Sequence, residues 1–201
     1  ILSIMLEACE VYRLGVMEYA RAWRLQAQWA GEIGRGERLP ALLLLEHPHT
    51  YTFGRQGRPE NLVWDEAELA RQGVAVHWVD RGGDVTYHGP GQLVGYPLLP
   101  LLPGGLKSQI VDGKPRLPRA DYVGYLRRLE ETLILALASF GVRAGRVEGL
   151  TGVWIRPEEA PTGNKPLPAA WGSRPAKIAA IGVKVDVYGV ARHGFALNVA
   201  P

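Results

Sequence analysis

The chain has 201 residues, 47% of them hydrophobic and 21% charged, and carries a net charge of +3. That balance excludes a disordered chain and gives no stripe of basic residues for nucleic acid, and the length fits a single domain over residues 1–201. A lone cysteine, Cys9, excludes an internal disulfide framework. Beside Met5, Leu6 and Val11, Cys9 is expected to be a small buried hydrophobe.

No apolar run approaches the roughly 20 residues that span a bilayer. The opening Ile1 to Leu6 lacks a basic start and is soon interrupted by Glu7 and Glu10, so neither a signal peptide nor a membrane anchor is read here, and a cytoplasmic protein is expected. Val16, Ala20, Trp23, Ala27 and Ala30 recur at steps of three and four, which predicts an amphipathic helix from about Met17 to Ala30. Gly31 to Arg38 reads as a turn-rich exit. Ala41 to Glu46 is a short leucine-dense run, better suited to a buried strand than to a helix. Val74 to Asp80 predicts a strand running into Gly82-Gly83, and Gln92 to Leu99 another, stopped by Pro100 and Pro103.

Asp121 is a candidate N-cap for the strongest helix, with Leu126, Leu129, Leu133 and Leu137 on one face and Gly141 at the C′ position. Short strands are expected around Val142 to Val147 and Thr151 to Arg156. Pro157 to Pro175 holds five prolines in nineteen residues and reads as a surface loop. Lys177 to Tyr188, a turn at Gly189 and His193 to Val199 predict a hairpin. The order of elements is not a regular βαβ alternation, so the fold class is α/β (α+β), a mixed central sheet with packed helices.

Three segments carry candidate chemistry. Arg81-Gly-Gly-Asp-Val-Thr-Tyr-His-Gly-Pro-Gly91 has four glycines in eleven residues, which allows close backbone approach to a ligand. It lacks the Gly-Lys-Ser/Thr ending of a phosphate loop and the spacing of a dinucleotide fingerprint; the plain alternative is a tight connection between core strands. In Lys177-Ile-Ala-Ala-Ile-Gly-Val-Lys-Val185 a lysine at the head of a small, apolar strand suits a desolvated amine of lowered pKa. The plain alternative is a solvated strand end, a role that fits Lys184 better. In His193-Gly-Phe-Ala-Leu-Asn198 the histidine reads as a structural hydrogen bonder, with Phe195 or Leu197 lining an apolar pocket. His47 and His49 lack the further ligands of a tetrahedral metal site, and no Gly-x-Ser-x-Gly turn supports a serine hydrolase.

The run from Arg81 through Gly91 to Gln-Leu-Val-Gly-Tyr-Pro97 resembles the signature of the lipoyl(octanoyl) transferase family. Leu45-Glu-His-Pro-His-Thr-Tyr-Thr52, Lys177-Ile-Ala-Ala-Ile-Gly182 and His193-Gly-Phe-Ala-Leu-Asn198 reinforce the likeness. The resemblance implies a fold similar to lipoate and biotin protein ligase catalytic domains. It implies transfer of an octanoyl group from octanoyl-acyl carrier protein to a lysine of lipoyl domains, those of 2-oxoacid dehydrogenases and the glycine cleavage H protein. The reaction runs through a cysteine thioester, with no ATP, no metal and no other cofactor, and nucleic acid and membrane are not partners. Substrate-binding positions then map onto Arg81, Gly82, Gly83, Asp84, Val85, Thr86, Tyr87, His88, Ala180, Ile181, Gly182, Gly194, Phe195 and Ala196. Lys177 maps onto the catalytic lysine that lowers the pKa of the nucleophile.

In the family that nucleophile sits in a Pro-Cys-Gly segment beyond the His-Gly-Phe-Ala-Leu-Asn strand. Cys9 matches no motif position, so the nucleophile is expected in a segment beyond Pro201; the opening on Ile1 rather than Met fits a sequence shorter than its gene product. Two alternatives stand beside the transferase: an ATP-dependent lipoate–protein ligase, and a non-catalytic acyl or carrier-protein binding module without the cysteine.

Overall fold

The computed structural model describes residues 8–102, 109–111, 114–116, 121–156 and 174–200. Its strands are β1 (Glu10–Val16), β2 (Ala41–Glu46), β3 (Thr50–Phe53), β4 (Ala75–Trp78), β5 (Val85–His88), β6 (Gln92–Leu98), β7 (Gln109–Val111), β8 (Lys114–Arg116), β9 (Val153–Ile155), β10 (Ala176–Val185) and β11 (Ala191–Asn198). Its α-helices are α1 (Tyr19–Arg35), α2 (Glu66–Arg71) and α3 (Tyr122–Ser139). They form two compact units, Ile1–Asp121 with Gly182–Pro201, and Tyr122–Ile181.

In the first unit the strands run in the order β1-β2-β6-β11, followed by the second half of β10. β1 lies parallel to β2, whereas β2 and β11 flank β6 antiparallel, so the sheet is mixed, as the order of elements predicts. Ala41, Leu43 and Leu45 alternate along β2 and are fully buried. With Val94, Tyr96, Leu98 and Ala196 they form the core against Ala22, Ala30 and Ile33 of α1. Burying one such leucine side chain stabilises the fold by about 1.5–3 kcal/mol. A second sheet, ordered β4-β3-β5, sets Thr52 opposite Thr86.

Helix α1 departs from expectation in two ways. It continues to Arg35, through the segment read as a turn, and its buried face is Tyr19, Ala22, Gln26, Ala30 and Ile33, so of the Val16, Ala20, Trp23, Ala27 and Ala30 stripe Ala30 alone belongs to it. Gln26 turns inward because its Oε1 accepts the buried His193 backbone N–H at 2.7 Å, a polar contact that hydrophobic periodicity does not register. Cys9 is also a correction: it is exposed, at the approach to β1.

In the second unit α3 buries Tyr125, Leu129, Leu133 and Leu137. Gly141 closes it as expected. Its N–H donates to Ala138 O and that of Val142 to Leu137 O, the paired bonds of a Schellman motif. β9 pairs antiparallel with the first half of β10, Trp154 opposite Lys177. The strand expected at Val142 to Val147 reduces to one bridge, Gly145 to Trp154. The proline loop, apart from its last two residues, lies outside the described residues. Among the described residues no helix is long and apolar enough to cross a membrane.

Candidate active site

The glycine loop of the first unit is built around Arg81, which is buried. Its Nη2 donates to the Thr52 carbonyl at 2.6 Å and to Thr52 Oγ1 at 2.9 Å, Nε reaches the same hydroxyl at 3.3 Å, and Nη1 donates to Gly82 O at 2.9 Å. All three acceptor atoms are neutral, and no carboxylate among the described residues forms an ion pair with this guanidinium. Burial pushes the Arg81 pKa down, although not far enough to discharge a guanidinium. Three glycines surround Nη1: a Cβ at Gly54, Gly83 or Gly182 would stand 2.9, 3.5 or 3.5 Å from it. A buried positive charge is thus walled by backbone rather than by side chains.

Beneath this loop lies a layer of neutral histidines. His88 contacts Gln92 Oε1 through Nδ1 at 2.9 Å and Thr52 Oγ1 through Nε2 at 3.4 Å. Gln92 donates its amide hydrogens to Tyr87 O and Asn198 Oδ1, so its oxygen accepts and His88 Nδ1 carries the proton. His47 donates from Nδ1 to Met17 O at 2.6 Å and accepts from Tyr96 Oη at 2.7 Å. With both nitrogens occupied, His47 has none left for a metal. Burial lowers the pKa of His47 to about 4 and that of His88 to about 3, the latter aided by the neighbouring His47. Both rings pack on buried Tyr19.

Asp80, immediately before Arg81, collects three donors. His193 Nε2 stands 2.9 Å from its Oδ1, Arg192 Nη2 lies 3.0 Å from Oδ2, and Lys184 Nζ pairs with the same oxygen. The His193 hydrogen bond holds the Asp80 carboxyl well below its ordinary range, with Lys184 and Arg192 adding to the effect. Lys184 is therefore an ion-pair partner and not the solvated strand end expected of it.

The β6–β11 contact explains the His-Gly-Phe-Ala segment. Phe195 stands opposite Gly95, and a Cβ on Gly95 would fall 2.2 Å from the Phe195 ring. A Cβ on Gly194 would meet Gly95 O at 2.2 Å, so the strands touch where both lack side chains. Phe195 is half-buried over this seam, whereas Ala196 faces the α1 core.

In the second unit Lys177 Nζ lies 4.7 Å from the Trp154 ring centroid, a cation–π contact. Desolvation lowers the Lys177 pKa, although much of the residue meets solvent. The fully buried Glu130 carboxylate accepts from Arg127 Nη1 at 2.7 Å, Arg146 Nε at 3.0 Å and the Gly152 backbone N–H at 3.1 Å. Gly152 abuts the Lys177 stem, so Glu130 fixes the turn behind the lysine. Ala180 and Ile181 are half-buried on the same strand.

Of the positions expected to bind substrate, Arg81, Gly82, Gly83 and Gly182 come together. Asp84 is engaged apart from them: it accepts from the Arg58 N–H at 3.0 Å and from the Asn61 amide, at a polar surface pocket of about 400 Å³ shared with Gln56. Val85, Thr86 and Tyr87 run along β5, where Tyr87 stacks on His49 and packs at a tilt against Tyr51, and His88 is interior. Thr52, Asp80, Gln92, Glu130 and Trp154 were not singled out from sequence. Asp80 stands beside Arg81, and Thr52, Gln92 and Trp154 lie within runs that match the family, Trp154 in the weaker one; Glu130 offers no such signal.

A model of the lipoyl protein ligase A/B catalytic domain matches residues 18–201. The octanoyltransferase of Chloroflexus aggregans is 44% identical over 191 residues, covering 95% of this chain and 73% of its own. That of Solibacter usitatus is 43% identical over 192 residues, covering 96% and 72%. Among solved structures, the bipartite lipoate protein ligase of Thermoplasma acidophilum superposes with a TM-score of 0.64 at 18% identity, over 96% of this chain and 62% of that one. Lipoate-protein ligase A bound with ATP gives 0.59 at 16%, over 96% and 67%. These two likenesses establish the fold, and the sequence relatives establish the branch. The chain belongs to the lipoyl protein ligase A/B catalytic-domain family and, within it, to the octanoyltransferases.

Proposed function

We propose that the protein is an acyltransferase that moves an octanoyl group from octanoyl-acyl carrier protein to a lysine of lipoyl domains, among them those of 2-oxoacid dehydrogenases and the glycine cleavage H protein. The observation that carries the reading is Arg81, a buried guanidinium bonded to neutral acceptors and ringed by three glycines. A cation in that setting suits a thioester carbonyl, whose oxygen gains negative charge as it is attacked. Carrier-protein donor and lipoyl-domain acceptor put the reaction in the cytoplasm.

In this reading a cysteine thiolate attacks the donor thioester, the bond to the carrier thiolate breaks, and an octanoyl-cysteine thioester remains. Lys177 as an ammonium favours the thiolate; in neutral form it takes the proton from the incoming lysine amine as the amide forms and the cysteine thiolate leaves. The desolvated amine of Lys177 supports both roles, because desolvation lowers its pKa and so eases loss of the proton. Cys9 does not suit the nucleophile: local desolvation, with Glu10 nearby, raises its pKa and disfavours the thiolate.

The test is octanoyl transfer to a purified lipoyl domain by the full-length protein, with octanoyl-acyl carrier protein and no nucleotide in one arm and octanoate with ATP in the other. Modification in the first arm alone is expected. Modification only with ATP would replace this reading by a ligase, and none in either arm, with the acyl donor retained, would replace it by a binding module.

A further inference from the structure

Asp80 is placed to do more than neutralise charge. It directly precedes Arg81, and its carboxylate takes donors from the two strands that carry Gly182 and Gly194: Lys184 on β10, and Arg192 and His193 on β11. The Gly82 N–H donates to Val183 O at 3.1 Å, next to Lys184, so main chain and side chain fasten the loop to β10 within one residue of each other. Among the described residues His193 is the one non-glycine with a positive φ, 57°. That conformation is unfavourable for a histidine and persists where surrounding contacts impose it. Those contacts are visible: the His193 N–H donates to buried Gln26 Oε1 at 2.7 Å, Nδ1 lies 3.5 Å from the Tyr19 hydroxyl, and Nε2 reaches Asp80. Because Asp80 is ionised it can only accept, so His193 Nε2 carries the proton and Nδ1 is left to accept from Tyr19.

We propose that Asp80 and His193 are positioning residues that hold the Arg81-Gly82-Gly83 backbone in its ligand-accepting form, with α1 setting His193 and His193 setting Asp80. The proposal rests on the octanoyl-transfer reading for its function, but not for its geometry. A device that served stability alone would not need a histidine at positive φ, since apolar packing of the same volume often stabilises a fold as well as a half-buried ionic cluster does.

The experiment uses the full-length protein with Asp80→Asn and, as a milder variant, Lys184→Gln. Two readouts are taken: kcat and KM for octanoyl-acyl carrier protein, and hydrogen exchange of peptides across residues 79–84 and across β1 and β2. For Asp80→Asn the expected result is a KM raised about tenfold with kcat changed by less than about threefold, and faster exchange at 79–84 while β1 and β2 exchange as before. Lys184→Gln is expected to move both in the same direction by less. Unchanged exchange at 79–84, or an equal acceleration throughout, overturns the positioning role, as does an unchanged KM beside a loosened loop. If the parent protein transfers no octanoyl group, the transfer reading falls, and the exchange measurement still decides whether Asp80 orders the loop.

Discussion

Arg81 and Thr52 are joined by three hydrogen bonds across 29 residues of sequence, the shortest 2.6 Å from Nη2 to the Thr52 carbonyl oxygen. The fork of the guanidinium matches the carbonyl and hydroxyl of one residue and leaves Nη1 facing the glycine ring. Arg81→Lys keeps the charge and loses the fork. Octanoyl transfer is expected to fall by about ten- to a hundredfold in kcat/KM, and the urea midpoint to fall as well, because buried acceptors at Thr52 and Gly82 lose donors. Steady-state kinetics beside urea unfolding checks this; a fully active lysine variant would remove Arg81 from the site.

The buried histidines make stability depend on pH. His47 and His88 titrate near 4 and 3 in the folded protein and near 6.5 when unfolded. Between those values the unfolded chain binds more protons, so stability rises with pH; the contribution is present above about 6.5 and is lost as pH falls toward 4 and 3. For the pair the loss by pH 4 is on the order of several kcal/mol. Urea midpoints measured from pH 7.5 to 4.5 are expected to hold to about pH 6.5 and fall below it, and His88→Asn to flatten that fall.

Gly194 is expected to tolerate no side chain. An alanine Cβ there would stand 2.2 Å from Gly95 O and 2.6 Å from Pro97 Cδ, and neither is the far end of a flexible side chain. The β6–β11 seam has to part, at a cost of about 1–3 kcal/mol. Thermal unfolding of Gly194→Ala reads the cost directly, with a lowered Tm expected.

The two tasks proposed for Lys177 are separable by two substitutions. Lys177→Arg retains a cation and cannot deprotonate. It is expected to support formation of the acyl-enzyme but to slow its transfer to the lipoyl lysine by about 10²-fold or more. Lys177→Met is expected to impair both steps. Single-turnover kinetics of acylation and deacylation resolves the two.

Much of this was legible in sequence because it rests on local rules. The bounds of β2 follow from a short leucine-rich run, the end of α3 from Gly141, and the β10–β11 hairpin from Gly189. The glycine loop was legible as a motif. What stayed hidden depends on polar residues facing inward. β3 was missed because its buried Thr50 and Thr52 read as surface residues until their bonds to Pro48 O and Arg81 are seen. Hydrophobic spacing places the wrong face of α1 inward because Gln26 finds its partner 167 residues away. Lys184 reads as a solvated residue because Asp80 lies 104 residues before it. Long-range polar pairs leave no periodic trace, and these pairs support the loop.

The most direct test of the central claim is the intact mass of the protein expressed from its complete gene, after incubation with octanoyl-acyl carrier protein and without nucleotide. A gain of one octanoyl group that hydroxylamine removes and a lipoyl domain discharges is the predicted result. Retention of the donor with no covalent gain, or a gain that hydroxylamine leaves in place, would contradict a transferase that works through a cysteine thioester.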